Sequence, residues 1–127
     1  MTPVLIVERI EPSIALWVDR LGFEKTVEVP EGDHLGFAAF AREGLEIMYQ
    51  TRESVTEEVR SADLPKALLP VEGSRATLFC EVEDLKAIRE KLQGLEILLP
   101  YRKTAYGAEE LWMREPGGHI VGFAQMA

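Results

Sequence analysis

Two short segments carry side chains able to do chemistry. In Glu109-Glu110-Leu111-Trp112-Met113 the two-residue alternation of a β-strand puts Glu110 and Trp112 on one face, with Leu111 and Met113 opposite. A carboxylate beside an indole suits a flat or cationic ligand. The ring offers stacking or cation–π contact worth about 0.5 to 2 kcal/mol, and Glu110 supplies charge. Trp112 filling the interior of a barrel is the alternative. In Leu45-Glu46-Ile47-Met48-Tyr49 the same alternation joins Glu46 to Met48, facing a cavity, and leaves the more apolar set under a helix. Glu46 could accept a ligand's cationic or hydroxyl group, or act as a general base if partial desolvation raised its pKa. An ion pair with Arg75 or Arg114 explains it equally well.

The remaining candidates are single residues. Tyr106 precedes Gly107, so its hydroxyl could reach a pocket mouth, or the pair could mark a strand bend. Thr2 and Thr77 offer hydroxyls, although strand threonines need no functional explanation. The only histidines, His34 and His119, follow Asp33 and Gly118 beside turns, where a solvated ring is expected. The lone Cys80, in Leu78-Phe79-Cys80-Glu81-Val82, reads as an inert strand thiol and can form no intramolecular disulfide.

These residues need strands and helices to hold them, and the pattern provides two sets. Val4 to Val7 reads as a strand. Pro12 opens a helix whose Ile10, Ile14, Trp17, Val18 and Leu21 form one buried stripe, Trp17 among the core residues, and Gly22 caps it. Strands follow at Phe23–Val29, Leu35–Phe40 and Leu45–Gln50, parted by turns at Glu31-Gly32-Asp33 and Arg42-Glu43-Gly44. The charged stretch from Thr51 to Gly73 predicts a short exposed helix within a long connection, either a pocket rim or a bridge. A second series then begins: Ala76–Val82, a helix with Leu85, Ile88 and Leu92 ending at Gly94, and strands at Ile97–Tyr101, Tyr106–Met113 and Ile120–Gln125.

Val7-Glu8-Arg9-Ile10 thus returns as Val82-Glu83-Asp84-Leu85, and a repeated strand-helix-three-strand unit buries its concave face only against a second copy. The 127 residues suit one domain. With 14 basic and 22 acidic side chains the net charge is −8, which repels phosphate backbones and excludes nucleic acid as a natural partner. Such a field draws cations, although acidity also serves simple solubility. No apolar run approaches the ~20 residues of a membrane helix, and the start shows no secretory pattern. A soluble, cytoplasmic protein is expected.

Val7-Glu8-Arg9-Ile10 with Ser13 and Leu16-Trp17, then Leu21-Gly22-Phe23, then Tyr106-Gly107, Glu110, Trp112 and Glu115-Pro116-Gly117-Gly118-His119 together resemble the vicinal oxygen chelate superfamily of glyoxalases, bleomycin-resistance proteins and dioxygenases. The resemblance spans nearly the whole chain. It implies an α+β fold of two tandem βαβββ units, one barrel-like curved-sheet domain over 1–127 with a central cavity. The units would cover about 1–50 and 74–127, with a linker over 51–73. It also places four metal ligands, one on the first and one on the last strand of each unit. Here those positions hold Thr2, Glu46, Thr77 and Gly122, too few donors for a cation that needs three protein ligands.

The expectation is therefore a metal-free, cofactor-free homodimer of the bleomycin-resistance type. It would bind a cationic or aromatic compound through Glu46, Met48, Thr77, Tyr106, Glu110 and Trp112. The rival is a metal-dependent lyase, isomerase or dioxygenase using Glu46 and further ligands, which His34 or His119 near Glu46 would support.

Overall fold

The computed structural model describes all 127 residues. Two compact units divide it, Met1–Arg75 and Ala76–Ala127. Each is a βαβββ series on a four-stranded mixed sheet, so the fold is α+β with the tandem arrangement that the repeat predicts.

In the first unit β1 (Val4–Val7), α1 (Glu11–Ile14), β2 (Glu24–Glu31), β3 (His34–Arg42) and β4 (Leu45–Thr51) form a sheet ordered β1-β4-β3-β2. β1 runs parallel to β4 and the other pairs are antiparallel. One sheet face carries Leu5, Val7, Phe40, Ile47 and Tyr49, all buried. The helix does not continue as an α-helix. From Ala15 to Arg20 it widens into a π-helix, with Leu21 N–H bonded to the Leu16 carbonyl five residues back. Along the helix Ile10, Ser13, Leu16, Trp17 and Leu21 are buried, while Ile14 and Val18 are only half-buried. The stripe expected from a 3.6 period is corrected accordingly. Gly22 ends the helix at a φ of 76°, a conformation that costs glycine little.

The charged stretch after β4 holds α2 (Arg52–Ser61), capped by the Thr51 hydroxyl accepting from Ser54 N–H at 3.1 Å, and a 3-10 turn at Lys66–Leu68. Arg52 ties it to the end of β1 through Glu8 at 2.9 Å, and its guanidinium also reaches the Pro70 carbonyl.

The second unit runs β5 (Thr77–Glu81), α3 (Leu85–Lys91), β6 (Ile97–Lys103), β7 (Glu109–Arg114) and β8 (Ile120–Gln125), ordered β5-β8-β7-β6. Asp84 caps α3 by accepting from Ala87 N–H. Leu85 and Leu92 on the helix, and Leu111, Met113, Val121 and Phe123 on the sheet face opposite Trp112, are buried. β7 is shorter at its start than expected. Residues 104 to 108 form a turn instead, closed by Thr104 N–H on the Ala108 carbonyl and Ala108 N–H on the Thr104 hydroxyl.

Candidate functional site

The second sheet builds the candidate site from its other face. On β7 the alternation holds, so Glu110 and Trp112 are neighbours, and the Trp112 indole N–H donates to Glu110 Oε1 at 3.2 Å. Trp112 pairs across the ladder with Gly122 on β8, and Gly122 pairs with Phe79 on β5. A Cβ at Gly122 would stand 2.5 Å from the Trp112 ring. Glycine there lets the indole lie over the strand and approach Phe79, whose ring centroid is 6.2 Å away at 45°. Phe79 is 49% exposed and Trp112 half-buried, so the row presents an accessible aromatic surface.

Glu110 lies beneath that surface and is almost fully buried. Its carboxylate accepts from the Tyr106 hydroxyl at 3.2 Å as well as from Trp112, and pairs with Arg102 Nε at 3.4 Å. A buried carboxylate requires such partners, since an unpaired one would lose hydration without compensation. Glu110 is therefore an internal counter-ion that orients three side chains. The sequence places this carboxylate open to a cationic ligand, whereas here it is enclosed by protein donors.

Of the six residues expected to bind ligand, Tyr106, Glu110 and Trp112 come together here. Tyr106 sits in the exposed turn before β7, its hydroxyl directed to Glu110. Thr77 shares a face with Phe79 by alternation, but at the far end of β5, paired with Ile120. Glu46 and Met48 belong to the first unit, on the face of β4 opposite Ile47 and Tyr49. Glu46 is exposed and accepts the Thr2 hydroxyl at 2.9 Å, so a threonine takes the place of the arginines Arg75 and Arg114 considered for it. Arg114 instead meets Glu96 at 3.2 Å.

Two members of the site, Phe79 and Arg102, were not singled out by their sequence context, and Gly122 was named only as an empty metal position. Arg102 in particular reads as a turn residue. β6 lies at the sheet edge and carries extra residues against β7: Leu99 pairs with Trp112 and Arg102 with Glu110, three steps against two. Pro100 falls inside that irregularity, where its missing N–H is tolerated. The bulge turns Arg102 onto the Glu110 face, which simple alternation from Leu99 would have denied it. Pro100 in an otherwise apolar strand is the signal that could have found it.

The metal positions implied by the resemblance do not fit a cation. Thr2, just before β1, does meet Glu46 on β4, but one hydroxyl and one carboxylate already bonded to each other make a poor set. In the second unit the register opposes Thr77 to Ile120, and Gly122 to Phe79, so the residue paired with Thr77 is apolar in place of the expected Gly122. No three His, Cys, Asp or Glu side chains gather elsewhere. His119 is buried, not solvated as its turn position predicts: its Nδ1 accepts from Ala76 N–H at 2.8 Å, fastening the start of β5 to the β7–β8 turn. His34 Nδ1 contacts Asp33 at 3.0 Å, and its Nε2 lies 3.9 Å from Glu53. Burial raises the Cys80 thiol pKa, as an unactivated strand cysteine requires.

No protein-family model matches the chain and no curated protein matches its sequence. Solved structures do match its fold along almost its whole length. TioX from Micromonospora sp. ML1 superimposes with a TM-score of 0.76 at 16% identity, covering 100% of this chain and 98% of TioX. A lactoylglutathione lyase from Agrobacterium tumefaciens gives 0.74 at 13% identity, covering 98% and 91%. A glyoxalase/bleomycin resistance protein/dioxygenase family enzyme from Burkholderia phytofirmans PsJN gives 0.74 at 12% identity, covering 99% and 97%. The chain has the fold of the vicinal oxygen chelate superfamily.

Proposed function

We propose that this chain is a metal-independent small-molecule-binding protein that holds a flat aromatic compound against the Trp112–Gly122–Phe79 row of its second sheet. The observation that carries this reading is the row itself: two accessible aromatic rings across three strands, tilted at 45° to each other and brought within 6.2 Å over a glycine that leaves room for the indole. The buried Glu110, with its three donors, holds the indole in place. Binding without turnover is supported by the side chains nearby, where the carboxylate is engaged, the thiol pKa is raised and His119 serves the backbone. Such a role suits the bleomycin-resistance branch of the fold, whose members host several unrelated functions. A homodimer is included as the assembly, to be read from the mass in solution.

The test is a panel of neutral flat aromatics, titrated against the protein by calorimetry. Trp112→Ala is expected to weaken any compound that binds by about tenfold or more, since base-like ring stacking is worth roughly 1 to 3 kcal/mol. Binding that survives Trp112→Ala and Phe79→Ala undiminished would remove the ligand from this face.

A further inference from the structure

Resting on that binding face, we infer that its ligand is an aromatic carboxylate, whose anionic group is received by Arg102. The sequence and its charge of −8 point toward a cation, but the local groups do not. Both oxygens of Glu110 are engaged, Oε1 by Trp112 and Arg102 and Oε2 by Tyr106, and the carboxylate is buried below them. Arg102 is the opposite case. Its side chain is 56% exposed, and it meets Glu110 through Nε at 3.4 Å. The ion pair holds the side chain at Nε while more than half of its surface stays open to solvent. A guanidinium anchored in this way presents a planar donor fork of the kind that carboxylates bind bidentately.

Placement agrees with charge. Arg102 pairs with Glu110, two residues from Trp112 on β7, so a ring stacked on the indole has the guanidinium at its edge. The other basic side chain of this face, Arg114, is committed to Glu96. The free carboxylate of the face is Glu81, which pairs with Ala124 on β8 just as Glu110 does. It stands on β5, three strand spacings or ~14 Å from β6, beside Phe79 and away from Arg102. Most of the protein's negative charge is also elsewhere. The second unit has six basic and eight acidic side chains, a net −2, while the first has eight and fourteen, a net −6. At physiological ionic strength screening acts over about 8 Å, so contacts at the face outweigh that distant field.

The experiment compares naphthalene carboxylate with its carboxamide and its aminomethyl analogue, on the intact protein at physiological ionic strength. Calorimetry gives the affinities, and the Trp112 indole N–H resonance, identified by its loss in Trp112→Phe, reports the place of binding. The carboxylate is expected to bind about tenfold tighter than the carboxamide or better, as a charge-assisted bidentate pair should. Arg102→Gln brings the carboxylate down to the carboxamide's affinity, and Arg102→Lys, which keeps charge but loses the fork, falls between. Melting curves establish that both variants are folded.

Equal affinities for carboxylate and carboxamide, with the Trp112 resonance moving for both, would overturn the inference and leave the aromatic binding face intact. The aminomethyl compound binding tightest would overturn it in favour of Glu81. No movement of the Trp112 resonance with any of the three would remove the inference and the binding face together.

Discussion

Glu110 shows how far a single residue's meaning depends on its partners. Its place beside Trp112 follows from strand alternation, but its burial under Tyr106 and Arg102 does not. Glu110→Gln sets an amide N–H₂ against a cluster of donors and leaves Arg102 without its counter-ion. A loss of about 1 to 3 kcal/mol is expected in urea unfolding. Gly122→Ala is expected to cost a similar ~1 to 3 kcal/mol, because the added methyl meets rigid indole atoms, and to displace the Trp112 N–H resonance. Cys80 makes a pH prediction with a definite sign. Burial raises its thiol pKa, so at neutral pH the group stays protonated. Its alkylation should be slower than that of a free thiol until the pH passes above the ordinary thiol range, and unfolding in urea should restore the faster rate.

At the scale of elements, the boundaries and the types of the strands follow from turn residues and apolar runs. The departures have local causes. In the helix after β1 a 3.6-residue period selects Ile14 and Val18 for burial, whereas Ser13 on α1 and Leu16 in the π-helical turn are the residues that are buried. What anchors this wider geometry is tertiary: the Trp17 indole N–H donates to the Tyr49 hydroxyl on β4 at 2.8 Å, in a buried position. Trp17→Phe should therefore lose about 1 kcal/mol through the buried hydrogen bond it removes, in addition to the change in ring size, and a double-mutant cycle with Tyr49→Phe checks the coupling. α2 offers a simpler case. Its capping threonine is visible in the chain, and Thr51→Ala should cost about 1 kcal/mol, read from urea unfolding.

For the molecule as a whole, the two βαβββ units are legible because a repeat writes the same apolar spacing twice, and apolar spacing is what selects secondary structure. No helix is long and apolar enough to cross a membrane. The shortage of metal donors is also legible, since donor chemistry belongs to residue type. The corresponding outcome is a melting temperature unmoved by chelator or added divalent cations. A cation bound at a hundred times its Kd would add ~2.7 kcal/mol, so a shift of several degrees would restore the metal-dependent reading. Residue types, alternation and the repeat thus determined by themselves the fold class and the face shared by Glu110 and Trp112. Only the tertiary structure decided that Glu110 is enclosed, that Gly122 supports an aromatic row, and that Arg102 is the exposed charge. Those outcomes depend on a bulge in β6 and on the pairing of strands distant in the chain, which no local spacing encodes.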